Sequence, residues 1–266
     1  MLRDVTIGQY LPGNSLLHRL DPRSKINGVF FFMISLFVIN NMVGYWLMVI
    51  CSIALILLSR IPLKYFLKGL KPLILLILLT VVLQALLTPG EIIWQWKFLH
   101  VTREGLIQAL FMGTRLVILV SITSLLTLTT TPIVLTDGIE KMLNPFKPIG
   151  VPAHELAMMM TIALRFIPTL IEETEKIMKA QAARGADFES GNLIKRINAL
   201  IPILVPLFLS AIQRAEDLAL AMEARGYHGG EGRTRLKELR LSGKDYGAFI
   251  AAAILLLAAI ATRVWF

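Results

Sequence analysis

The sequence predicts an all-α integral membrane protein, with about five transmembrane helices and a set of cytoplasmic or interfacial helices that form a crossed pair. Three observations carry this expectation. The 266-residue chain is 56% hydrophobic, with a mean hydropathy of +0.69. Only 17% of its residues are charged, against about 25% in soluble domains. Its apolar residues fall into runs approaching the ~20 residues that cross a bilayer, separated by basic, glycine- or proline-containing breaks.

The runs follow in order. Residues 26–39 and 42–59 are two apolar stretches parted by Asn40-Asn41 and read as a helical hairpin; the first is short, and Ser24 and Lys25 can extend it. Residues 72–87 form a third span, closed by Pro89-Gly90, because proline and glycine break helices. Residues 105–128 are a fourth and residues 246–265 the last. The first 25 residues have no apolar core followed by a small-residue cleavage site, so no cleaved signal is expected.

Lysine and arginine on short loops set orientation. Residues 60–71 carry Arg60, Lys64, Lys68 and Lys71 and no acid, and the N-terminal segment carries Arg3, Arg19, Arg23 and Lys25. The Asn40-Asn41 turn has no charge, and residues 89–104 hold only Lys97 and Arg103 as cations. This alternation places the N-terminus in the cytoplasm and Trp94, Trp96 and Trp265 at the opposite face. The net charge of +9 then belongs to membrane-flanking segments and does not point to nucleic acid.

Residues 129–245 are neither clean spans nor a soluble domain. Thr131 followed by Pro132 is a helix start, and that helix should stop before Asn144-Pro145. A second helix is expected from Pro152 to Arg184 and a third from about Leu193 to Arg225. Both begin apolar and end polar. Their apolar runs, 156–171 and 199–212, are interrupted by Arg165, Pro168, Pro202 and Pro206 and suit helices lying along the membrane or buried against partners. The competing reading has both runs cross the bilayer, which puts Arg184 and Arg225 on opposite sides. The expected divisions are therefore a membrane domain at 1–131, a coupling-helix domain at 132–245 and a last span at 246–266.

The second and third helices repeat each other at an offset of 41 residues. Ile171, Glu175, Ala180, Ala183, Arg184 and Gly185 match Ile212, Glu216, Ala221, Ala224, Arg225 and Gly226. Glycine takes the left-handed position after a helix without steric cost, alanine keeps the tip narrow, and arginine offers a planar fork for carboxylates. Ala183-Arg184-Gly185 and Ala224-Arg225-Gly226 are thus candidate partner-docking tips. The plainer reading is ordinary helix termination, since a cation also complements the C-terminal dipole.

No Gly-x-x-x-x-Gly-Lys-Ser/Thr loop is present, so direct ATP binding by that route is excluded. His18, His100, His154 and His228 are scattered and Cys51 stands alone, which leaves no metal-ligand, cofactor or catalytic set. Arg115 lies inside the fourth span. It marks a functional site, or else it snorkels or bonds to a neighbouring helix. A self-sufficient secondary carrier or channel is the alternative function, but carriers place ionisable groups within their spans, and apart from Arg115 these spans have almost none.

With these residues in view, the chain resembles the transmembrane T component of energy-coupling factor transporters, a group that includes cobalt-transporter permease subunits. The resemblance runs through Leu20-Asp21-Pro22-Arg23-Ser24-Lys25, Thr130-Thr131-Pro132, Arg165-Phe166-Ile167-Pro168 and the two Ala-Arg-Gly tips, and covers nearly the whole chain. It implies a non-enzymatic, multi-pass plasma-membrane subunit that couples two ATP-binding cassette ATPases to a separate membrane S component carrying a vitamin or metal ion. It also implies that Arg184 and Arg225 contact the ATPases, and that the apolar faces of the same helices contact the S component.

Overall fold

A computed structural model describes residues 10–96, 99–186, 188, 193–229 and 239–265. Arg3, Lys97 and the side chains of Trp94, Trp96 and Trp265 lie outside the described residues. The described residues are all-α but for one hairpin. The helices are α1 (Pro22–Val38), α2 (Met42–Ser59), α3 (Leu63–Leu70), α4 (Ile74–Leu87), α5 (Arg103–Thr129), α6 (Pro132–Leu143), α7 (Ala153–Ala183), α8 (Leu193–Ala224) and α9 (Gly243–Trp265). Strands β1 (Ile92–Trp96) and β2 (Leu99–Thr102) pair antiparallel between α4 and α5.

The ends follow local chemistry. Asp21 accepts the Arg23 N–H and Pro22 takes the first turn of α1. Thr102 accepts the Gly105 N–H at 3.0 Å to open α5. Thr131 accepts the Val134 N–H to open α6, the cap expected there. α7 runs unbroken through Pro168 and α8 through Pro202 and Pro206. The basic segment 60–71 contains α3, and a 3₁₀ turn follows at Lys71–Leu73, so the helical path begins well before Pro72.

Among the described residues, six helical stretches are long and apolar enough to cross a membrane: Met42–Ser59, Leu63–Leu87, Arg103–Thr129, Ala153–Ala183, Asn198–Ala224 and Gly243–Val264. Four of them coincide with expected spans to within a residue at the C-terminal end. α1, also expected as a span, has only 17 residues. The other two are α7 and α8, which qualify by length and composition although their C-terminal halves are polar.

The described residues fall into two compact units, one within Gly8–Gly138 and Leu239–Phe266, the other within Ile139–Glu238. In the first, Phe32, Leu36, Ile39, Tyr45, Met48, Ile118, Ile122 and Ala259 bring α1, α2, α5 and α9 around one apolar core. The outside of that unit is as apolar as its inside. Leu57, Leu75, Leu87 and Val264 are each at least 70% exposed. In water this surface would carry a hydrophobic cost of about 25 cal/mol per Å²; hydrocarbon solvates it, and the protein is an integral membrane protein.

The Leu20-to-Lys25 motif fastens one end of this unit. Asp245 accepts from the Ser242 N–H and hydroxyl at 2.7 Å each, which fixes the start of α9. Its other oxygen accepts the Asp21 N–H at 2.7 Å, which ties α9 to the start of α1. Buried Lys25 donates to the Thr129 carbonyl and the Thr130 hydroxyl, both at 3.0 Å, and so closes the C-terminal end of α5. At the other end, Asn41 donates to the Thr262 carbonyl of α9.

Arg115 is held by a neighbouring helix end. Its Nη2 donates to the Ile39 carbonyl at 3.1 Å, just past α1. Its guanidinium lies over the rings of Phe37 and Tyr45, 5.4 and 5.6 Å from their centroids. Tyr45 in turn stacks on Phe111 at 4.4 Å. Of the two readings for this residue, the helix-bonding one describes its surroundings.

Candidate coupling tips

The second unit positions the Ala-Arg-Gly repeats. α7 ends at Ala183 and α8 at Ala224, so each arginine is the first residue past its helix and each glycine the second. Gly185 has φ +90° and Gly226 φ +70°, the left-handed conformation. The hydrogen bonds around them match position by position. The Gly185 N–H donates to the Ala182 carbonyl and the Ala186 N–H to Gln181; the Gly226 N–H donates to Glu223 and the Tyr227 N–H to Met222. Both ends are Schellman caps. A Cβ on either glycine would meet nothing within 4 Å. Glycine is therefore required by backbone angle and not by space, and both tips stand open. Ala183, Arg184, Ala224 and Arg225 are exposed, and neither guanidinium has an ion-pair partner among the described residues.

α7 and α8 are pinned to each other at two places. Glu173 accepts from Arg214 Nη2 at 2.7 Å and from the Ser210 hydroxyl at 2.6 Å. Farther along α7, Gln181 Nε2 donates to the Pro202 carbonyl at 3.4 Å. Moving forward on α7 thus means moving backward on α8, and the pair is antiparallel. Ser210 and then Arg214 hold the Glu173 carboxyl below its ordinary range.

These contacts add a residue pair that sequence matching missed. Glu173 and Arg214 lie 41 residues apart, the offset of the repeat itself. Equivalent positions of two repeats meet only near a two-fold axis between them, so the ion pair marks a local pseudo-dyad. Matching by identity passed over them because one is an acid and the other a base; an opposite-charge match at the repeat offset is the signal that finds them. Each arginine tip lies 11 residues beyond the pair, about 16 Å at 1.5 Å per residue. The structure does not bring the tips together. It sets two identically capped ends at opposite extremes of an antiparallel pair, about 30 Å apart if the helix axes were aligned.

Comparison with known proteins matches the chain to a family. The family model described as CbiQ, cobalt transport protein, matches residues 13–236. The chain is 57% identical over 267 residues to the energy-coupling factor transporter transmembrane protein EcfT of Clostridium kluyveri, covering 100% of this chain and 99% of that protein. Identity to the protein of the same name from Thermosediminibacter oceani is 57% over 265 residues, covering 99% and 100% of the two chains. With that of Bacillus subtilis it is 52% over 256 residues, covering 96% and 97%. On a family match across most of its length and relatives alike from end to end, the chain belongs to the CbiQ/EcfT family of transmembrane T components of energy-coupling factor transporters.

Proposed function

We propose that this chain is the non-catalytic coupling subunit of an ATP-driven importer in the plasma membrane, with its N-terminus in the cytoplasm. Residues 132–245 form the coupling part, and residues 1–131 and 246–266 the membrane part. Arg184 and Arg225, framed by Ala183, Gly185, Ala224 and Gly226, enter sockets on two ATP-binding cassette ATPases. A separate membrane S component, carrying a vitamin or a metal ion, packs on the apolar faces of α7 and α8, where Leu204, Phe208 and Leu209 are exposed.

One observation carries the reading: two identically capped, open arginine tips placed symmetrically about the Glu173–Arg214 pair. An ATPase dimer has two equivalent sockets, and a pseudo-symmetric pair of prongs fits it. When the dimer closes, the prongs move relative to each other, and the S component responds only insofar as it contacts the two states differently. ATP itself is bound by the partners.

The test is charge reversal. Arg184→Glu and Arg225→Glu, made singly in the assembled complex, are expected to abolish substrate uptake and weaken co-purification of the ATPases, while the chain remains in the membrane. Normal uptake by both variants with intact complexes would refute the proposal.

A further inference from the structure

The first unit carries a recess that the coupling role does not use. It has a volume of about 440 Å³ and lies between the segment before α1 and the end of α2. Asn14, Leu16 and Arg19 line one side, and Leu57, Leu58 and Arg60 the other. Arg19 and Arg60 are both exposed, and among the described residues neither has an ion-pair partner. The recess therefore offers two permanent cations, and no carboxylate lines it.

Its apolar wall is just as specific. Leu16, Leu57 and Leu58 are exposed, and the strip continues up α2 through Ile53 and Ile50, which are exposed as well. A ligand that satisfies the recess needs an anionic head for the arginines and a hydrocarbon chain for the strip. A soluble anion would leave the leucines uncovered.

Arg60 adds an independent observation. It is the only non-glycine residue with positive φ among the described residues, at 55°. It closes α2 at the kind of position that glycine takes beyond α7 and α8. An arginine held there costs backbone energy that glycine would not, and what it supplies in return is a guanidinium at the recess.

We propose that this recess binds an anionic glycerophospholipid, its phosphate between Arg19 and Arg60 and one acyl chain along Leu57, Leu58 and α2. The arginine forks suit phosphate oxygens. Exposed Lys64 and Lys68 on α3 add to the positive field without lining the recess.

The experiment is native mass spectrometry of the full-length chain in detergent, with phosphatidylglycerol and phosphatidylcholine of identical acyl chains in competition. The wild-type chain should retain the anionic lipid by about tenfold or more, as two interfacial cations would give. Arg19→Gln/Arg60→Gly should bring the ratio close to parity, Lys64→Gln/Lys68→Gln should lower it much less, and millimolar inorganic phosphate should not displace the lipid. Equal retention of both lipids by the wild-type chain overturns the proposal. So does an equal loss in the lysine pair, which would mean diffuse surface charge, and so does displacement by phosphate, which would mean a soluble-anion site. If the arginine-removing pair does not fold, Arg19→Gln alone decides: it removes one of the two cations, and an unchanged ratio there also overturns the proposal.

Discussion

Replacing Gly185 or Gly226 by alanine isolates what the tip geometry contributes. Both glycines have positive φ, and a Cβ at either meets nothing within 4 Å. The substitution adds no clash and removes no contact, so its whole effect is conformational. An L-residue forced into the left-handed region costs about 1–2 kcal/mol, or a factor of about 5–30 in the population of the capped end. The last turn then frays and the arginine loses its fixed direction. Gly150 provides an internal control. It also has positive φ (94°) with open space around it, but it closes the 3₁₀ segment Asn144–Ile149 and carries no arginine tip. Gly150→Ala should lower the unfolding temperature by about as much as the tip variants, and only the tip variants should lose ATPase binding, by roughly 5–30-fold. Gly185→Asn and Gly226→Asn should recover most of it, because asparagine tolerates the left-handed region. Titration of the detergent-solubilised chain with purified ATPase subunits reads all of these. Equal binding losses in Gly150→Ala and the tip variants would refute the reasoning, as would wild-type affinity in both tip variants.

Two further predictions follow from single residues. Glu173→Arg should uncouple ATP hydrolysis from uptake by opening the α7–α8 clasp, and Glu173→Arg/Arg214→Glu should restore coupling by reforming the pair in reverse; failure of the double variant, with both chains folded, would count against the clasp. Because the Glu173 carboxyl is held below its ordinary range, its contribution is fully present above the ordinary glutamate pKa of about 4.3 and is lost only as pH falls through the depressed value, so coupling should be flat from about pH 5 upward on this account. Arg60→Gly should raise thermal stability by up to about 1 kcal/mol, since it relieves about 1–2 kcal/mol of left-handed strain at φ 55° and loses about 0.4–1 kcal/mol to the freer unfolded chain; a fall in the melting temperature would show that the side chain holds the fold together.

Much of the architecture was legible because helix punctuation is local. Thr131-Pro132 and the two Arg-Gly steps mark where the backbone needs a cap or a left-handed residue, and the structure opens α6 and closes α7 and α8 there. What was not legible depends on contacts far apart in sequence or on short elements. α3 has eight residues, too few for an apolar period to stand out among its lysines. The β1–β2 hairpin is rich in isoleucine, tryptophan and valine, but has no Asn-Gly or Asp-Gly turn to announce it. Arg115 is ambiguous as an intramembrane charge until the Ile39 carbonyl, 76 positions away, is brought beside it. Glu173 and Arg214 needed the fold to show that a repeat offset is also a contact.

The antiparallel pairing of α7 and α8 makes the membrane placement of the tips a sharp question, since both helices are long and apolar enough to span. If they crossed the bilayer as an antiparallel pair, their ends would face opposite sides. If they lie on one side, both ends share it. The decisive measurement is labelling of Arg184→Cys and Arg225→Cys, each in a Cys51→Ser background, with a membrane-impermeant thiol reagent applied to intact cells and to inverted vesicles. Reaction of both positions in inverted vesicles and of neither in intact cells is the predicted result. Labelling of one position from each side would contradict the account.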